Sequence, residues 1–370
     1  MSTRSIASED RAVSCYFRTS MQPGSRKALV QIDERCNLHC AHCFVSATKE
    51  GAFMSLASII DVVIPRLQEC QVQRVTLTGG EPTMHPDFLA VVCAFRAAGM
   101  AVGVCTNATT LSEDDIAELV AIGGVHCNVS LDGFSEHSHG KFRGNRASFH
   151  TTIATVTSLA EAGLLQGLLC TPNSLAQDEE YAQLCAFARE HGARYVLLNP
   201  LSRMGRGAKS SGRLASPDEH MRRIFADTVR FEDDELDIAH IRFPNTERRP
   251  LSGCEAGTIL YVFTPGEVTV CPYLVFAARN SFAQHEPEEF IVGNIFTDAD
   301  LAARLEEYRF HDRYQVGANP TCGACAMADD CGKGCPAAVI AAGGRIGDVD
   351  AEQCPQVEAE GRVLLPLRPA

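Results

Sequence analysis

An α/β fold built on a parallel sheet, followed by a small cysteine-rich segment, is what this chain predicts, and three observations predict it. Short β-branched or aliphatic runs, "ALVQID", "RVTLTGG", "MAVGVCTN", "VHCNVSLDG", "LLQGLLCTPN" and "RYVLLNP", recur about every 30 residues, the length of one strand–helix unit. Between them lie stretches with apolar residues at helical spacing. After residue 231 the alternation stops, and the chain turns irregular and rich in Gly, Pro and Cys.

The elements follow in order. Residues 28–33 form the first strand, and apolar spacing predicts helices over 55–69 and, after the second strand, over 87–98. After the third strand, "LSEDDIAELVAI" opens on Ser112 with Asp115 three residues later, close to a capping box, so a helix starts there. Further helices are expected over 148–162, 179–191 and 217–230. Six strands alternating with six helices imply a parallel sheet, doubly wound or curled into a partial barrel. In either case the active site lies at the carboxyl ends of the strands. Beyond the acidic run "FEDDELD", the pieces "TILYVFTPG" and "EVTVCPYL" predict a hairpin across Pro265 and Gly266, with a short helix over 298–308. With so few apolar runs, this last segment depends on its cysteines for order. The expected division is an N-terminal extension over 1–27, the sheet domain over 28–231, a linker over 232–253 and the cysteine-rich domain over 254–370.

Composition narrows the function. The chain is 45% hydrophobic and 21% charged, as in ordinary globular proteins. Its formal charge of -13, with both signs intermixed, argues against a nucleic-acid partner. No apolar run approaches the roughly 18 residues needed to cross a bilayer, so no membrane partner and a cytoplasmic location are expected. Seventeen cysteines are too many for a reducing compartment to hold as disulfides, which brings metal binding forward. Ten of them fall into spaced groups. The other seven, Cys15, Cys70, Cys93, Cys105, Cys127, Cys170 and Cys185, stand in apolar surroundings and read first as buried core residues.

The loop "DERCNLHCAHCF" sets Cys36, Cys40 and Cys43 within eight residues, after the first strand. Zinc would want four ligands, and only His39 or His42, awkwardly close neighbours, could complete the set. A cubane iron–sulfur cluster on three thiolates leaves one iron open for a small molecule. This CxxxCxxC loop, with "GGEP" after the second strand, resembles the radical S-adenosylmethionine (SAM) superfamily. The resemblance implies a partial (β/α)6 TIM-like barrel and a 4Fe-4S cluster on Cys36, Cys40 and Cys43 whose open iron is chelated by SAM. It further implies reductive cleavage of SAM to a 5'-deoxyadenosyl radical that abstracts a hydrogen atom from substrate.

The family's other motifs carry over residue by residue. Gly79 and Gly80 would let the backbone approach the methionine moiety, and Glu81 would accept from its ammonium. "TNA" resembles the family's "TNG", with Ala108 as a departure, and offers Asn107. "SLDG" would bring Ser130 and Asp132 near the ribose, and "FRG" offers Arg143 to the SAM carboxylate. "NPLSRMGRG" resembles the glycine-containing loop after the sixth strand, near the adenosyl group and substrate. A hydrogen-donor thiol would suit epimerisation. Strand alternation turns Cys105 to the barrel interior and Cys127 outward, and Cys170, near the end of strand five, is a second candidate.

Cys254, Gly266-x4-Cys271, Cys322-x2-Cys325-x5-Cys331-x3-Cys335 and Cys354 resemble the seven-cysteine SPASM domain, named for the subtilosin, pyrroloquinoline quinone, anaerobic sulfatase and mycofactocin maturases. The resemblance implies two auxiliary iron–sulfur clusters, 4Fe-4S in type. Cys322, Cys325, Cys331 and Cys354 would hold one, and Cys254, Cys271 and Cys335 the other. A pair of zinc sites is the alternative for CxxC pairs taken alone. No further cysteine stands between Cys254 and Cys271, so the second cluster is expected to have an open iron, for substrate, water or a carboxylate such as Glu255.

The resemblance implies modification of a ribosomally made peptide by epimerisation, crosslinking or oxidation. Few residues precede the first strand, so a separate leader-peptide-binding protein is expected as partner, with a flavodoxin- or ferredoxin-type reductant. The alternative is modification of a small molecule in antibiotic biosynthesis, such as a sugar, aminocyclitol or nucleoside. A further alternative is a non-catalytic iron–sulfur electron-transfer protein, against which Glu81 and Arg143 stand.

Overall fold

A computed structural model describes residues 26–357 apart from 255 and 258. Cys15, Glu255 and nearly all of the expected N-terminal extension lie outside the described residues. The six expected strands are β1 (Arg26–Asp33), β2 (Val72–Gly79), β3 (Ala101–Thr106), β4 (Val125–Ser130), β5 (Leu165–Cys170) and β6 (Tyr195–Leu198). A seventh, β7 (Asp237–His240), falls within 232–253 and pairs parallel with β6. The hairpin across Pro265 and Gly266 is β8 (Ile259–Val262) and β9 (Glu267–Thr269), and β10 (Ile291–Asn294) completes one ten-stranded sheet.

Strand order follows chain order from β1 to β7, with every neighbour parallel. A doubly wound sheet would reverse at a switch point, so this winding is that of a barrel, with the helices that connect the parallel strands on one face. Curvature is visible inside. Asn128, Gly167 and Tyr195 share one row across β4, β5 and β6, and the Tyr195 hydroxyl donates to Asn128 Oδ1 at 2.6 Å. The middle of that row has to be glycine, since a Cβ on Gly167 would meet the Tyr195 ring at 2.5 Å. The cysteine-rich segment joins the same sheet. β8 pairs parallel with β1, Lys27 opposite Ile259 and Val30 opposite Val262, on the edge away from β7.

Alternation divides the core in two. Ala28, Val30 and Ile32 of β1, with Val75, Leu77, Val102, Val104 and Val129, face the helices and pack on Leu67, Phe95, Leu119 and Leu184. Leu29, between them, faces the other way and joins Tyr261, Phe263 and the helices Pro272–Ala278 and Pro336–Ala341 in a second core. The helix expected over 55–69 forms from Leu56 to Glu69 with a π-helical turn at Ile59–Val63. Pro65, which has no N–H to donate, sits where the wide turn ends. The expected capping box is present, Ser112 accepting from the Asp115 amide and Asp115 from the Ser112 amide.

Candidate functional site

β1 delivers the three-cysteine loop to the carboxyl end of the sheet. Cys36 and Cys40 are buried and Cys43 half-buried. Burial pushes the Cys36 thiol up to about 11 and the Cys40 thiol to about 12. Holding them as thiolates therefore takes a positive partner, which a metal centre supplies. Cys36 Sγ accepts from the Leu38 amide at 3.4 Å. The loop is clasped from across the barrel by Arg206, whose Nε donates to the Cys40 carbonyl (2.8 Å) and Nη1 to the Ala47 carbonyl (2.6 Å). Gly205 makes the approach possible. Its φ is +53°, and a Cβ would lie 2.4 Å from the Phe44 carbonyl oxygen. Arg206 escaped the sequence reading, although an arginine between two glycines just past a strand end was its signal.

Gly79 and Gly80 are fixed by a close approach within the protein. A Cβ on Gly79 would stand 2.0 Å from the Asp33 carbonyl oxygen, and one on Gly80 2.2 Å from that of Arg35. The amides of Gly80 and Glu81 donate to those same two carbonyls, at 2.8 Å each. The Glu81 carboxylate, expected to meet a ligand's ammonium, is 1% exposed and accepts from four protein groups. Thr83 Oγ1, Thr106 Oγ1 and the Asn107 amide donate at 2.7 Å, and the Thr83 amide at 3.3 Å. Burial raises its pKa against these donors. Asn107 Nδ2 donates to Asn37 Oδ1 at 2.9 Å and stands 3.9 Å from Cys36 Sγ.

Asp132 and Arg143 are brought together as a buried pair, Nε to Oδ2 at 2.7 Å, while the Thr171 amide donates to Oδ1 at 2.8 Å. Burial alone would raise the Asp132 pKa. Arg143, with help from His42 and His139, outweighs it and holds the carboxyl below its ordinary value. The other end of the guanidinium reaches the cysteines, Nη1 standing 3.9 Å from Cys40 Sγ. His42 stacks on Phe142 at 4.6 Å, and burial lowers its pKa to about 4. His139 accepts from the Asp132 amide at 3.2 Å. Ser130 is half-buried at the end of β4.

The C-terminal thiols fall into two neighbourhoods. Cys271 lies within electrostatic reach of Cys335 and Cys254, and Cys354 within reach of Cys322, Cys331 and Cys325. Cys271 and Cys335 each stand at the start of a helix with proline at the next position, and the two helices pack in one core. Amides donate to sulfur here as at Cys36, from Met327 to Cys325 and from Lys333 to Cys331, both at 3.4 Å. Among the described residues no three His, Cys, Asp or Glu side chains converge on a single ion.

The two thiol-rich regions meet. The Phe44 ring, next to Cys43, packs on Phe276 at 5.0 Å and on Tyr273 at 5.8 Å, both just past Cys271. Beside this contact is a cavity of about 260 Å³ lined by Gln31, Val45, Thr48, Phe263, Glu267 and Arg279 among others. Cys105 is half-buried, its strand neighbour Val104 facing the helices, and it lies within electrostatic reach of Tyr261, as does Cys43. Cys127 and Cys170, by contrast, are buried in the core under the helices, Cys170 beside Cys185. No helix among the described residues is long and apolar enough to cross a membrane.

Comparison with known proteins gives three kinds of likeness. Residues 30–185 match the model described as the Radical SAM superfamily. The mycofactocin maturase MftC of Mycolicibacterium smegmatis is 27% identical over 313 residues, 82% of this chain and 76% of that one. The antilisterial bacteriocin subtilosin biosynthesis protein AlbA of Bacillus subtilis is 27% identical over 280 residues, 74% of this chain and 58% of that one. Among solved structures, Streptococcus suis SuiB bound to its precursor peptide SuiA superposes with a TM-score of 0.68 at 16% identity, covering 88% of this chain and 75% of that one, a likeness of fold.

Proposed function

The chain belongs to the radical SAM superfamily, and on that premise we propose that it is a maturase of a ribosomally made peptide, with one SAM-binding cluster and two auxiliary clusters. A 4Fe-4S cluster bound with SAM at the carboxyl end of the sheet would supply hydrogen-abstracting radical chemistry.

Cys36, Cys40 and Cys43 would hold that cluster, in a loop that Arg206 clasps by its carbonyls. Asn107 and Arg143 bring N–H groups to within 3.9 Å of Cys36 and Cys40. Such groups offset thiolate charge, and hydrogen bonds to sulfur help set a cluster's potential. Glu81 ties the loops after β2 and β3 together, so what it offers SAM is the placement of the Gly79–Gly80 main chain and Asn107. Arg143 keeps an N–H edge beyond its Asp132 pair for a carboxylate. Cys322, Cys325, Cys331 and Cys354 would hold one auxiliary cluster, and Cys254, Cys271 and Cys335 the other, its remaining iron open.

The observation that carries the reading of two centres acting on one substrate is the join between the two thiol regions through Phe44, Tyr273 and Phe276, with a cavity opening beside it. A substrate held there would lie between the Cys36–Cys43 loop and the segment that follows Cys271. The peptide reading is supported by the relatives, a mycofactocin maturase and a bacteriocin biosynthesis protein, and by SuiB, which is seen with a precursor peptide. A flavodoxin- or ferredoxin-type reductant and a separate leader-binding protein complete the expected partners.

The test is iron and sulfide per chain after anaerobic reconstitution, with 5'-deoxyadenosine formation from SAM under a strong reductant and mass analysis of candidate precursor peptides. About twelve irons, deoxyadenosine, and a mass change in a peptide are expected. Deoxyadenosine with turnover of a sugar or nucleoside and of no peptide would overturn the peptide reading. Zinc at the C-terminal cysteines would overturn the auxiliary clusters.

A further inference from the structure

The residues Arg242 and Asp350 are 108 positions apart and form a built site that the reaction described so far does not use. Arg242 lies two residues past β7, on the barrel, while Asp350 belongs to the cysteine-rich segment. Asp350 is 2% exposed on its side chain and Arg242 23%. The guanidinium is a two-pronged donor, Nη1 to Asp350 Oδ2 at 2.6 Å and Nη2 to Oδ1 at 2.9 Å, and Nη2 also reaches Glu352 at 2.9 Å. The oxygen that receives Nη1 also receives the Cys335 amide, at 3.0 Å. The Asp350 carbonyl accepts from the Cys354 amide at 2.8 Å. One residue thus fixes a cysteine from each of the two C-terminal thiol neighbourhoods. Gly334 is shaped to it, with φ +81° and a Cβ that would lie 2.5 Å from Asp350 Oδ2.

Buried charge is costly unless paired, so such an arrangement is retained where charge has a task or where one geometry must be specified. Cys335 stands within electrostatic reach of Arg242. The potential of an iron–sulfur cluster follows the net charge around it, because reduction adds an electron that a nearby cation favours and a nearby anion opposes.

We propose that Arg242 and Asp350 are positioning residues for the auxiliary cluster at Cys254, Cys271 and Cys335, an ion pair that orients the Cys335 ligand and sets that cluster's reduction potential. The proposal rests on the auxiliary-cluster reading above. Its sign is fixed by the pair. Removing the cation leaves the Asp350 carboxylate beside Cys335 with no counter-charge and lowers the potential. Neutralising the carboxylate while keeping its oxygen for the Cys335 amide takes one negative charge from beside that ligand, leaving Arg242 balanced by Glu352 alone, and raises it.

The experiment is an EPR-monitored redox titration of anaerobically reconstituted full-length protein, wild type beside R242K, R242Q and D350N, with iron, sulfide and zinc measured on each. Relative to wild type, the midpoint of one auxiliary cluster falls in R242Q and rises in D350N, each changing the oxidised-to-reduced ratio at least tenfold at the wild-type midpoint, about 59 mV for one electron. R242K keeps the wild-type value, and the cluster at Cys36, Cys40 and Cys43 keeps its midpoint in all three variants. Auxiliary iron lost from R242Q but retained by R242K also supports the role of the charge. Shifts of one sign in R242Q and D350N, no shift at full iron, or equal loss from R242Q and R242K would overturn it. Zinc or about four irons in the wild type would instead remove the underlying reading, which the metal analysis reports separately.

Discussion

Arg143 bridges Asp132 and Cys40, its Nε 2.7 Å from the carboxylate and its Nη1 3.9 Å from the sulfur. Both charged groups are buried, Asp132 at 1% and Arg143 at 6% exposure. Removing one partner of such a pair leaves an uncompensated charge and costs about 3–5 kcal/mol. R143A is therefore expected to lower the thermal midpoint and to weaken SAM retention. R143K keeps the charge but loses the fork, and is expected to recover stability more than SAM binding. Calorimetry and the KM for SAM in deoxyadenosine formation separate the two, and equal behaviour of R143K and wild type in both would remove the fork from the argument.

Glu81 is the hub between the loops after β2 and β3. An E81Q side chain would turn an NH2 toward either the Asn107 amide or the Thr106 and Thr83 hydroxyls, all of which donate to the carboxylate now. An unmet buried donor pair costs roughly 2–4 kcal/mol. The expected result is a lower midpoint together with a raised KM for SAM. A change in KM with no loss of stability would instead place the carboxylate on the ligand.

Much of this was legible in sequence, for physical reasons. Strands buried on both faces need continuous apolar runs, so β1 to β6 stood out. β7 did not, because "DIAH" is short and of its four side chains only Ile238 is fully buried. The hairpin β8–β9 was announced by Pro265 and Gly266, yet its pairing with β1 joins positions more than 200 residues apart and leaves no local mark. Cysteine spacing is local and was readable. Arg206 and Arg242 act through carbonyls and a carboxylate far along the chain, where no spacing rule reaches. The glycines of "GGE" were legible as a close approach, but the surface approached is the Asp33–Arg35 backbone.

The clasp on the cysteine loop predicts a selective loss. R206A removes donors from two loop carbonyls, both in the Cys36–Cys43 loop and the turn after it. About four of about twelve irons should become labile to a chelator, and deoxyadenosine formation should fall with them. Replacing Cys36, Cys40 and Cys43 together with Ala should abolish SAM cleavage and keep the remaining iron. Cleavage persisting in that triple variant would sink the assignment of the loop.

Cys105 and Cys170 separate by face. Cys105 is half-buried on the side of Tyr261, and Cys170 is 3% exposed under the helices. C170A is expected to cost about 1 kcal/mol of packing and leave the product unchanged. C105A is expected to keep SAM cleavage but, for a reaction that returns hydrogen to substrate, to lose solvent deuterium from the product. Full deuterium incorporation by C105A would exclude it as donor.

His240 gives a pH test away from the cysteines. Its ring accepts or donates to Thr228 Oγ1 at 2.7 Å and packs on Phe225 and Phe243, and burial lowers its pKa from 6.5 to about 4. In the unfolded chain it takes a proton near its ordinary value, while the folded protein refuses one until about pH 4. Stability is therefore full above pH 6.5 and drains away as pH falls through that window. The loss from this residue is roughly 3 kcal/mol by its lower end. In H240Q the glutamine can still bond Thr228 but has nothing to titrate. The midpoint of wild type minus that of H240Q should thus be largest near pH 7.5 and shrink steadily toward pH 4.5, cluster losses being common to both. A difference that stays constant across that range would mean His240 is protonated in the fold at the same pH as outside it.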